Sequence, residues 1–218
     1  GEPITDSAIV ISSMVDAVML RLSSHEDIIE FSKHSSKPVI NALSDESHPC
    51  QILADLMTYQ EINGSIKNKK IAWIGDGCNV CQTYMQAAGI FDFELSIATP
   101  KGYEPSEFFI ENYKKNINLF SDPLMACENA DIIVTDVWTS MGQESEKKQR
   151  ELAFTGFQVD QNMMNQAKKD AIFMHCLPAY REKEVSSEVI DGNQSVVWSE
   201  AENRLHVQKS LLLYLIEN

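Results

Sequence analysis

Positive charge is scarce in this sequence of 218 residues, which has 18 Lys and Arg against 32 Asp and Glu. The formal net charge is -14 and the isoelectric point is near 4.7. Because such a field repels polyanions, we expect no affinity for nucleic acid or for an anionic membrane surface. Any anionic ligand must then be held by a local cluster of cationic side chains.

The sequence also lacks a long apolar run and the marks of a secretion signal. Its longest strongly apolar stretch, Leu211 to Ile216, is far shorter than a membrane-spanning helix. The first residues show none of the basic, apolar and small-residue segments of a signal peptide. We therefore predict a soluble cytoplasmic protein. Its cysteines are odd in number, which favours reduced thiols over disulfides; they are Cys50, Cys78, Cys81, Cys127 and Cys176.

The chain is long enough for one large domain or two small ones, with 44% apolar and 23% charged residues. Short aliphatic runs alternate with segments of helical periodicity, which predicts an α/β fold with a doubly wound parallel sheet. The predicted strands are Ala17 to Leu22, Val39 to Leu43, Lys70 to Gly75, Glu94 to Ala98, Asp131 to Thr135, Ala171 to His175 and Ser195 to Trp198. The predicted helices are Glu26 to Lys33, His48 to Ile62, Val80 to Ala88, Pro105 to Lys115, Pro123 to Ala130, Gln161 to Lys168 and Glu200 to Ile216.

A polar segment from Asn63 to Lys70 is the best candidate for a domain boundary. We expect three parts: residues 1–62, residues 63–199 with most of the predicted sheet, and a closing helix in residues 200–218. The first part contains only two predicted strands, which is little for an independent core. It has the pattern of a second α/β domain whose beginning is missing.

The glycine-containing turn after the third predicted strand, from Gly75 to Val80, could meet a polar or anionic ligand with backbone N–H groups at a helix start. Val80 stands where a dinucleotide fingerprint has its third glycine, and the next strand ends without an acid for a ribose, so the pattern argues against NAD. Asn79 is either a ligand-binding side chain or a helix cap. Cys78 and Cys81 could be a redox pair or half a zinc site, but no second ligand pair follows, so we predict two small buried side chains and no metal.

Two helix-start residues and one strand-end arginine are candidates for binding an anion or a polarised carbonyl. His48 and Gln51 share one face of a helix N-terminus, where they can donate hydrogen bonds to a carbonyl oxygen. The alternative for His48 is a capping or packing role. Arg21 ends a short apolar strand and can reach an anion, or it is simply solvated there.

Two further side chains follow buried strands and so lie at the carboxyl edge of the predicted sheet. Asp136 can pair with an ammonium group or orient a base, although such residues also cap turns. Cys176 can act as a nucleophile, can orient or deprotonate an amine, or is an inert buried thiol.

These motifs stand in one order along the chain: Arg21, then HPCQ, GDGCN, DVWTSMGQE, HCLP and EAENR. Together they resemble the ornithine carbamoyltransferases, across essentially the whole chain. The Ser-Met-Gly run at 140–142 distinguishes them from the related aspartate carbamoyltransferases. The resemblance implies transfer of the carbamoyl group of carbamoyl phosphate to the side-chain amine of L-ornithine, giving L-citrulline and phosphate, with no cofactor and no metal.

The resemblance also implies roles for individual residues. The contacts to carbamoyl phosphate match Arg21, His48, Gln51, Cys176, Leu177 and Arg204, and those to ornithine match Asn79, Asp136, Ser140 and Met141. Of these, Cys176, Asp136, His48 and Arg21 are the expected catalytic residues. Since the attacking amine must be neutral, Cys176 and Asp136 are the candidates for lowering its pKa or taking its proton.

One family feature is absent from this sequence, the phosphate-binding run Ser-Thr-Arg-Thr-Arg. We therefore expect an N-terminally incomplete chain that binds carbamoyl phosphate poorly. A non-catalytic fragment or paralogue that binds an amino acid, and a putrescine carbamoyltransferase, are the alternatives. By resemblance we expect a homotrimer, or a multiple of trimers, that serves arginine biosynthesis or arginine degradation.

Overall fold

The computed structural model describes residues 1–139 and 144–217. In these ranges the strands are β1 (Val18–Arg21), β2 (Val39–Leu43), β3 (Lys70–Ile74), β4 (Glu94–Ala98), β5 (Ile117–Phe120), β6 (Ile132–Thr135) and β7 (Ile172–His175). The helices are α1 (Ile4–Ser12), α2 (His25–His34), α3 (Pro49–Asn63), α4 (Asn79–Phe91), α5 (Glu107–Tyr113), α6 (Pro123–Cys127), α7 (Lys147–Ala153), α8 (Gln161–Gln166), α9 (Ser187–Ile190) and α10 (Val197–Glu217). A single turn of 3-10 helix, Glu144–Glu146, precedes α7.

The strands form two parallel sheets. β1 pairs with β2, and the larger sheet has five strands in the order β5-β4-β3-β6-β7. The larger sheet is buried on both faces, with Trp73 and Tyr84 in the core on one face and Phe154 and Phe173 in the core on the other. The predicted doubly wound α/β fold is therefore confirmed, and the fully buried strands β6 and β7 explain why those segments are continuous apolar runs.

The strand order has a switch point between β3 and β6. The connections from β3 to β5 run through α4 and α5 on one face of the sheet, whereas α6 and α8 cover the other face. At such a point the two connections diverge and leave a crevice beyond the carboxyl ends of the strands, where open α/β sheets bind ligands. The turn after β3, Asp136 after β6 and Cys176 after β7 all lie at this edge.

The C-terminal helix α10 packs along α3 and so connects the end of the chain to its first part. Asn203 donates hydrogen bonds from Nδ2 to Oγ1 of Thr58 at 2.9 Å and to Oε2 of Glu61 at 2.8 Å. This contact brings the arginine of the EAENR motif next to the HPCQ motif. In the described ranges, no helix has both the length and the apolarity needed to cross a membrane.

One predicted strand is wrong. The segment from Ser195 to Trp198 forms only an isolated bridge between Ser195 and Phe173 before α10 begins at Val197. The apolar residues of this segment are too few to extend the sheet beyond β7, and Trp198 is exposed at the start of the helix.

Several short elements are absent from the prediction. Strand β5 has two exposed residues in its middle, as edge strands often do, and therefore lacks the buried run used to identify the other strands. Helices α1, α7 and α9 are also additional to the predicted set. Each has nine residues or fewer, which gives little periodicity to read.

Gly77, in the turn after β3, allows the backbone of that turn to lie close to the backbone of the loop after β4. A Cβ at this position would lie 2.1 Å from the backbone nitrogen of Pro105 and 2.4 Å from the carbonyl carbon of Glu104. Backbone atoms cannot yield as a flexible side chain can, so only glycine fits. The turn that carries Cys78 and Asn79 is thereby held against the loop that follows β4.

We expect Gly77→Ala to lower the free energy of unfolding by about 3 kcal/mol, because two backbone segments must separate. Urea unfolding measures this loss. Gly89→Ala is the matched control, since its added Cβ meets only Tyr113 at 3.8 Å and alanine is the better helix former. Equal stability of Gly77→Ala and the wild type would contradict the close approach.

Candidate active site

Two thiols converge on one carboxylate at the carboxyl edge of the sheet. The Sγ of Cys176 donates a hydrogen bond to Oδ1 of Asp136 at 3.0 Å, and the Sγ of Cys78 lies 3.8 Å from Oδ2. Oδ1 also accepts the backbone N–H of Val137 at 2.7 Å. The tertiary structure thus brings together Asp136 and Cys176, which the sequence placed at the ends of different strands.

Both thiols remain protonated at neutral pH. Burial raises the pKa of Cys176 well above its ordinary value, and the neighbouring carboxylate of Asp136 raises it further. Burial and the same carboxylate act likewise on the pKa of Cys78. Cys176 is therefore a hydrogen-bond donor to Asp136, not a thiolate nucleophile or base. Cys78 and Cys81 are free thiols, as predicted; Cys81 is buried as expected, but Cys78 is only half-buried, because it lies in the turn at the sheet edge.

His175 lies beside this pair, and one atom from each of His175, Asp136 and Cys176 falls within a span of 4.8 Å. Such a set could hold a metal ion. The imidazole of His175 is hydrogen-bonded at one nitrogen only, since its buried Nε2 makes no hydrogen bond within the described residues. Its Nδ1 accepts the backbone N–H of Leu177 at 2.9 Å, which leaves the proton on Nε2, 3.3 Å from Oε1 of Glu184. The ring thus fixes the start of the Leu177 segment, where Leu177 itself has φ 54°.

His48 lies at the other side of the candidate site, at the start of α3. Its side chain makes no capping hydrogen bond, while its backbone N–H donates to Oγ1 of Thr83 at 2.8 Å. Burial, and then the charges of Arg204 and Arg21, lower the pKa of His48 to about 4, so the ring is neutral at pH 7. Among the described residues, its buried Nδ1 has no hydrogen-bond partner. A ligand can supply that partner.

Gln51 and Arg204 meet beside His48, although they are 153 residues apart in the chain. Nη1 of Arg204 donates to Oε1 of Gln51 at 2.6 Å, and the buried Nε of Arg204 has no partner among the described residues. Both amide hydrogens of Gln51 are used within the protein, toward Asp55 and Glu200. Gln51 therefore has only its carbonyl oxygen to offer a ligand, which differs from the donor role expected from the sequence.

Asp55 and Glu200 are two residues of the candidate site that sequence reasoning missed. Burial raises the pKa of Asp55 to about 6 and raises that of Glu200 well above its ordinary value, and each carboxyl hydrogen-bonds the other. The pair thus holds a shared proton. The EAENR motif contains Glu200, but nothing in the sequence indicated that Asp55 of α3 would face it.

Of the other predicted residues, two are placed by the structure and two are not. Asn79 is the first residue of α4 and donates from Nδ2 to the backbone oxygen of Ser44 at 2.7 Å, which links the turn after β3 to the loop after β2. Arg21 ends β1 with an exposed side chain that has no hydrogen bond or ion pair to any described residue. Ser140 and Met141 lie outside the described residues.

Arg150 of α7 is a third residue that the sequence analysis did not select, because it stands in a run of charged residues typical of an exposed helix. Its side chain is buried, pairs with Asp76, donates from Nε to the backbone oxygen of Trp138, and lies 4.7 Å from the ring centre of Tyr103. It thereby connects the turn after β3 to the loop after β6.

Comparisons with known proteins agree with this arrangement. The profile for the Asp/Orn binding domain of aspartate/ornithine carbamoyltransferase matches residues 67–215, and the profile for the carbamoyl-P binding domain of the same family matches residues 1–61. The chain belongs to the aspartate/ornithine carbamoyltransferase family. The resemblance seen in the motifs is confirmed.

Individual members of the family match almost the whole chain. The ornithine carbamoyltransferase of Ruthia magnifica subsp. Calyptogena magnifica is 65% identical over 216 residues, which are 99% of this chain and 72% of that protein. The structure of ornithine carbamoyltransferase from Pyrococcus furiosus superposes with a TM-score of 0.94 at 47% identity, covering 100% of this chain and 72% of that one. The structure of the anabolic ornithine carbamoyltransferase from Campylobacter jejuni superposes with a TM-score of 0.93 at 45% identity. The match covers 99% of this chain and 74% of that one.

The shared proton of Asp55 and Glu200 predicts a stability that falls as pH rises from about 4 to about 6, because there the unfolded chain releases protons that the folded protein retains. In Asp55→Asn, the free energy of unfolding should fall less than in the wild type over this pH range, by at least about 1 kcal/mol. Urea unfolding of both proteins at several pH values measures it. An identical slope in the variant would contradict the raised pKa.

Proposed function

We propose that this chain transfers the carbamoyl group of carbamoyl phosphate to the side-chain amine of L-ornithine, giving L-citrulline and phosphate. Two observations carry the proposal. The buried nitrogen atoms His48 Nδ1 and Arg204 Nε have no hydrogen-bond partner among the described residues, and Cys176 donates to the carboxylate of Asp136. His48, Gln51, Arg204 and Arg21 form the donor half of the site, which suits an anion and a carbonyl oxygen. Asp136 and Cys176 form the acceptor half, which suits an amine. The names of the relatives support this choice of substrates.

The donor half would act on carbamoyl phosphate. A neutral His48 can donate to the carbonyl oxygen and stabilise the negative charge that develops there during attack. Arg204 and Arg21 provide the positive charge that a phosphate requires in a chain with a net charge of -14. The carbonyl oxygen of Gln51 can accept a hydrogen bond from the carbamoyl NH2 group.

The acceptor half would act on ornithine. Its side-chain ammonium group must lose one proton before it attacks the carbamoyl carbon, and a second once the C–N bond has formed and phosphate departs. The carboxylate of Asp136 can hold the ammonium group and take a proton, while the Cys176 thiol orients that carboxylate. We propose that Asn79, Ser140 and Met141 contact the rest of ornithine, and that Leu177 borders both substrates.

Much of the rate enhancement would come from holding two substrates in contact rather than from a covalent intermediate. A protonated Cys176 is consistent with this, because acyl transfer through the thiol would require a thiolate. Homotrimeric assembly, a cytoplasmic location, and the three-part division at residues 62 and 199 remain predictions. The sequence left the metabolic direction open between arginine biosynthesis and arginine degradation, and the word "anabolic" in the name of the Campylobacter jejuni relative favours the biosynthetic one.

The first test is release of citrulline by the purified chain, after its mass is checked against 24.6 kDa. Ornithine, putrescine and aspartate serve as parallel acceptors with carbamoyl phosphate. Because the sequence lacks the Ser-Thr-Arg-Thr-Arg run, carbamoyl phosphate is supplied at high concentration. We then expect product with ornithine and none with putrescine or aspartate. Product from putrescine would identify the other enzyme, and no product from any acceptor would contradict the proposed activity of this chain.

Asp136→Asn should lower kcat/KM for ornithine at least about 100-fold, because the amide cannot take a proton or offset the ammonium charge. Steady-state kinetics measures the loss. Asp131→Asn is the matched control: Asp131 precedes the same strand, β6, and pairs with Lys168 at 2.8 Å at the opposite edge of the sheet. Asp131→Asn should lower the free energy of unfolding but leave kcat/KM for ornithine unchanged. Equal kinetic losses in both variants would contradict the role of Asp136.

A further inference from the structure

We propose that Asp55 and Glu200 are positioning residues, which hold Gln51 and Arg204 in the orientation that carbamoyl phosphate requires and connect them to the Cys176 segment. This inference rests on the proposed function. Neither carboxyl belongs to the substrate contacts implied by the family resemblance. Both are almost fully buried, with 3% of Asp55 and 1% of Glu200 exposed.

The first step of the argument is the direction of the Gln51 amide. Nε2 donates to Oδ1 of Asp55 at 2.8 Å and to Oε1 of Glu200 at 2.9 Å, so each amide hydrogen has an oxygen acceptor. The amide oxygen then faces the guanidinium of Arg204. The flipped amide would place its NH2 group against Arg204 and its oxygen against two carboxyl groups, losing all three hydrogen bonds. The acid pair therefore sets which atom of Gln51 faces the site.

The second step is the dependence of Arg204 on Gln51. The bond from Nη1 to Gln51 is the one hydrogen bond that the side chain of Arg204 makes within residues 1–139 and 144–217. Arg204 lies one helical turn after Glu200 on α10, so both side chains face α3. If Gln51 turned, Arg204 would lose the contact that orients its guanidinium.

The third step is the link to the other half of the site. Oε2 of Glu200 accepts the backbone N–H of His175 at 2.9 Å. His175 directly precedes Cys176, whose thiol contacts Asp136. A single carboxyl group thus holds Gln51 through one oxygen and the strand end before Cys176 through the other.

The surroundings of the pair match this role. Tyr84 of α4 donates from its hydroxyl to Oδ2 of Asp55 at 2.6 Å, which occupies the remaining carboxyl oxygen. Among the described residues, Arg204 from α10 and Cys176 after β7 are further titratable groups that interact with the pair. With one proton between two carboxyls, the pair carries one negative charge, which the nearby Arg204 offsets only in part. Two unprotonated carboxylates would repel each other at this distance.

The decisive variant is Glu200→Gln, which keeps the size of the side chain and an acceptor for His175 but places an NH2 group against the Gln51 amide. We expect KM for carbamoyl phosphate to rise about tenfold or more, and KM for ornithine to stay within about threefold. Asp55→Asn should show the same selectivity and replaces Glu200→Gln if that variant does not fold. Glu202→Gln, on an exposed part of α10 where Glu202 lies 3.9 Å from His206, is the control and should match the wild type.

A purely structural role predicts a different pattern. Glu200→Gln would then raise both KM values together, in step with a lower Tm, or would leave both unchanged. Either pattern would overturn the proposal.

A second measurement does not require activity. In the wild type, both side-chain amide hydrogens of Gln51 should exchange slowly with solvent in nuclear magnetic resonance spectra, because both are bonded and buried. Glu200→Gln should accelerate the exchange, and Glu202→Gln should not. Fast exchange in the wild type would overturn the proposal. Absence of citrulline would instead contradict the proposed function, and the exchange data would still decide the positioning of Gln51.

Discussion

The hydrogen bonds around Gln51 form the junction on which the geometry of the candidate site depends. This side chain joins α3 to α10, and through Glu200 it reaches the end of β7. Asn203 brings the arginine of the EAENR motif next to the HPCQ motif, and the junction then orients its guanidinium toward Gln51. Buried amide and carboxyl groups are costly unless every donor and acceptor is paired, so the network favours one arrangement of the three elements over all others.

The electrostatics of the candidate site follow from how it is assembled. The larger sheet provides the acceptor half, from residues that follow β3, β6 and β7. There the carboxylate of Asp136 accepts hydrogen bonds from the thiols of Cys176 and Cys78. The helix pair α3 and α10 provides the donor half, where His48 is neutral and Arg204 retains an unpartnered Nε. A strongly acidic protein thus places Arg204 and Arg21 near His48, where its proposed substrate needs positive charge.

Sequence reasoning succeeded where a local pattern has one structural meaning. The buried run after Asp131 could only be an inner strand, so the position of Asp136 at the carboxyl edge followed directly. It failed for Ser195 to Trp198, where two valines suggested a strand but a helix starts, and for β5, whose exposed centre hides an edge strand. In both cases the outcome depended on which neighbours were available to pair or pack, which no short window records.

The sequence by itself determined the fold class, the order of the motifs and the chemical types available to the site, because periodicity and strand-end position are local properties. The tertiary structure alone decided how those groups use their hydrogen bonds. Gln51 was expected to donate to a ligand, but it can only accept. Its amide nitrogen is bonded to Glu200 and its amide oxygen faces Arg204, which are 149 and 153 residues away in the chain. Cys176 became a protonated donor because burial next to Asp136 disfavours its thiolate. Hydrogen-bond direction and protonation depend on every neighbour in three dimensions, and the fold is what selects those neighbours.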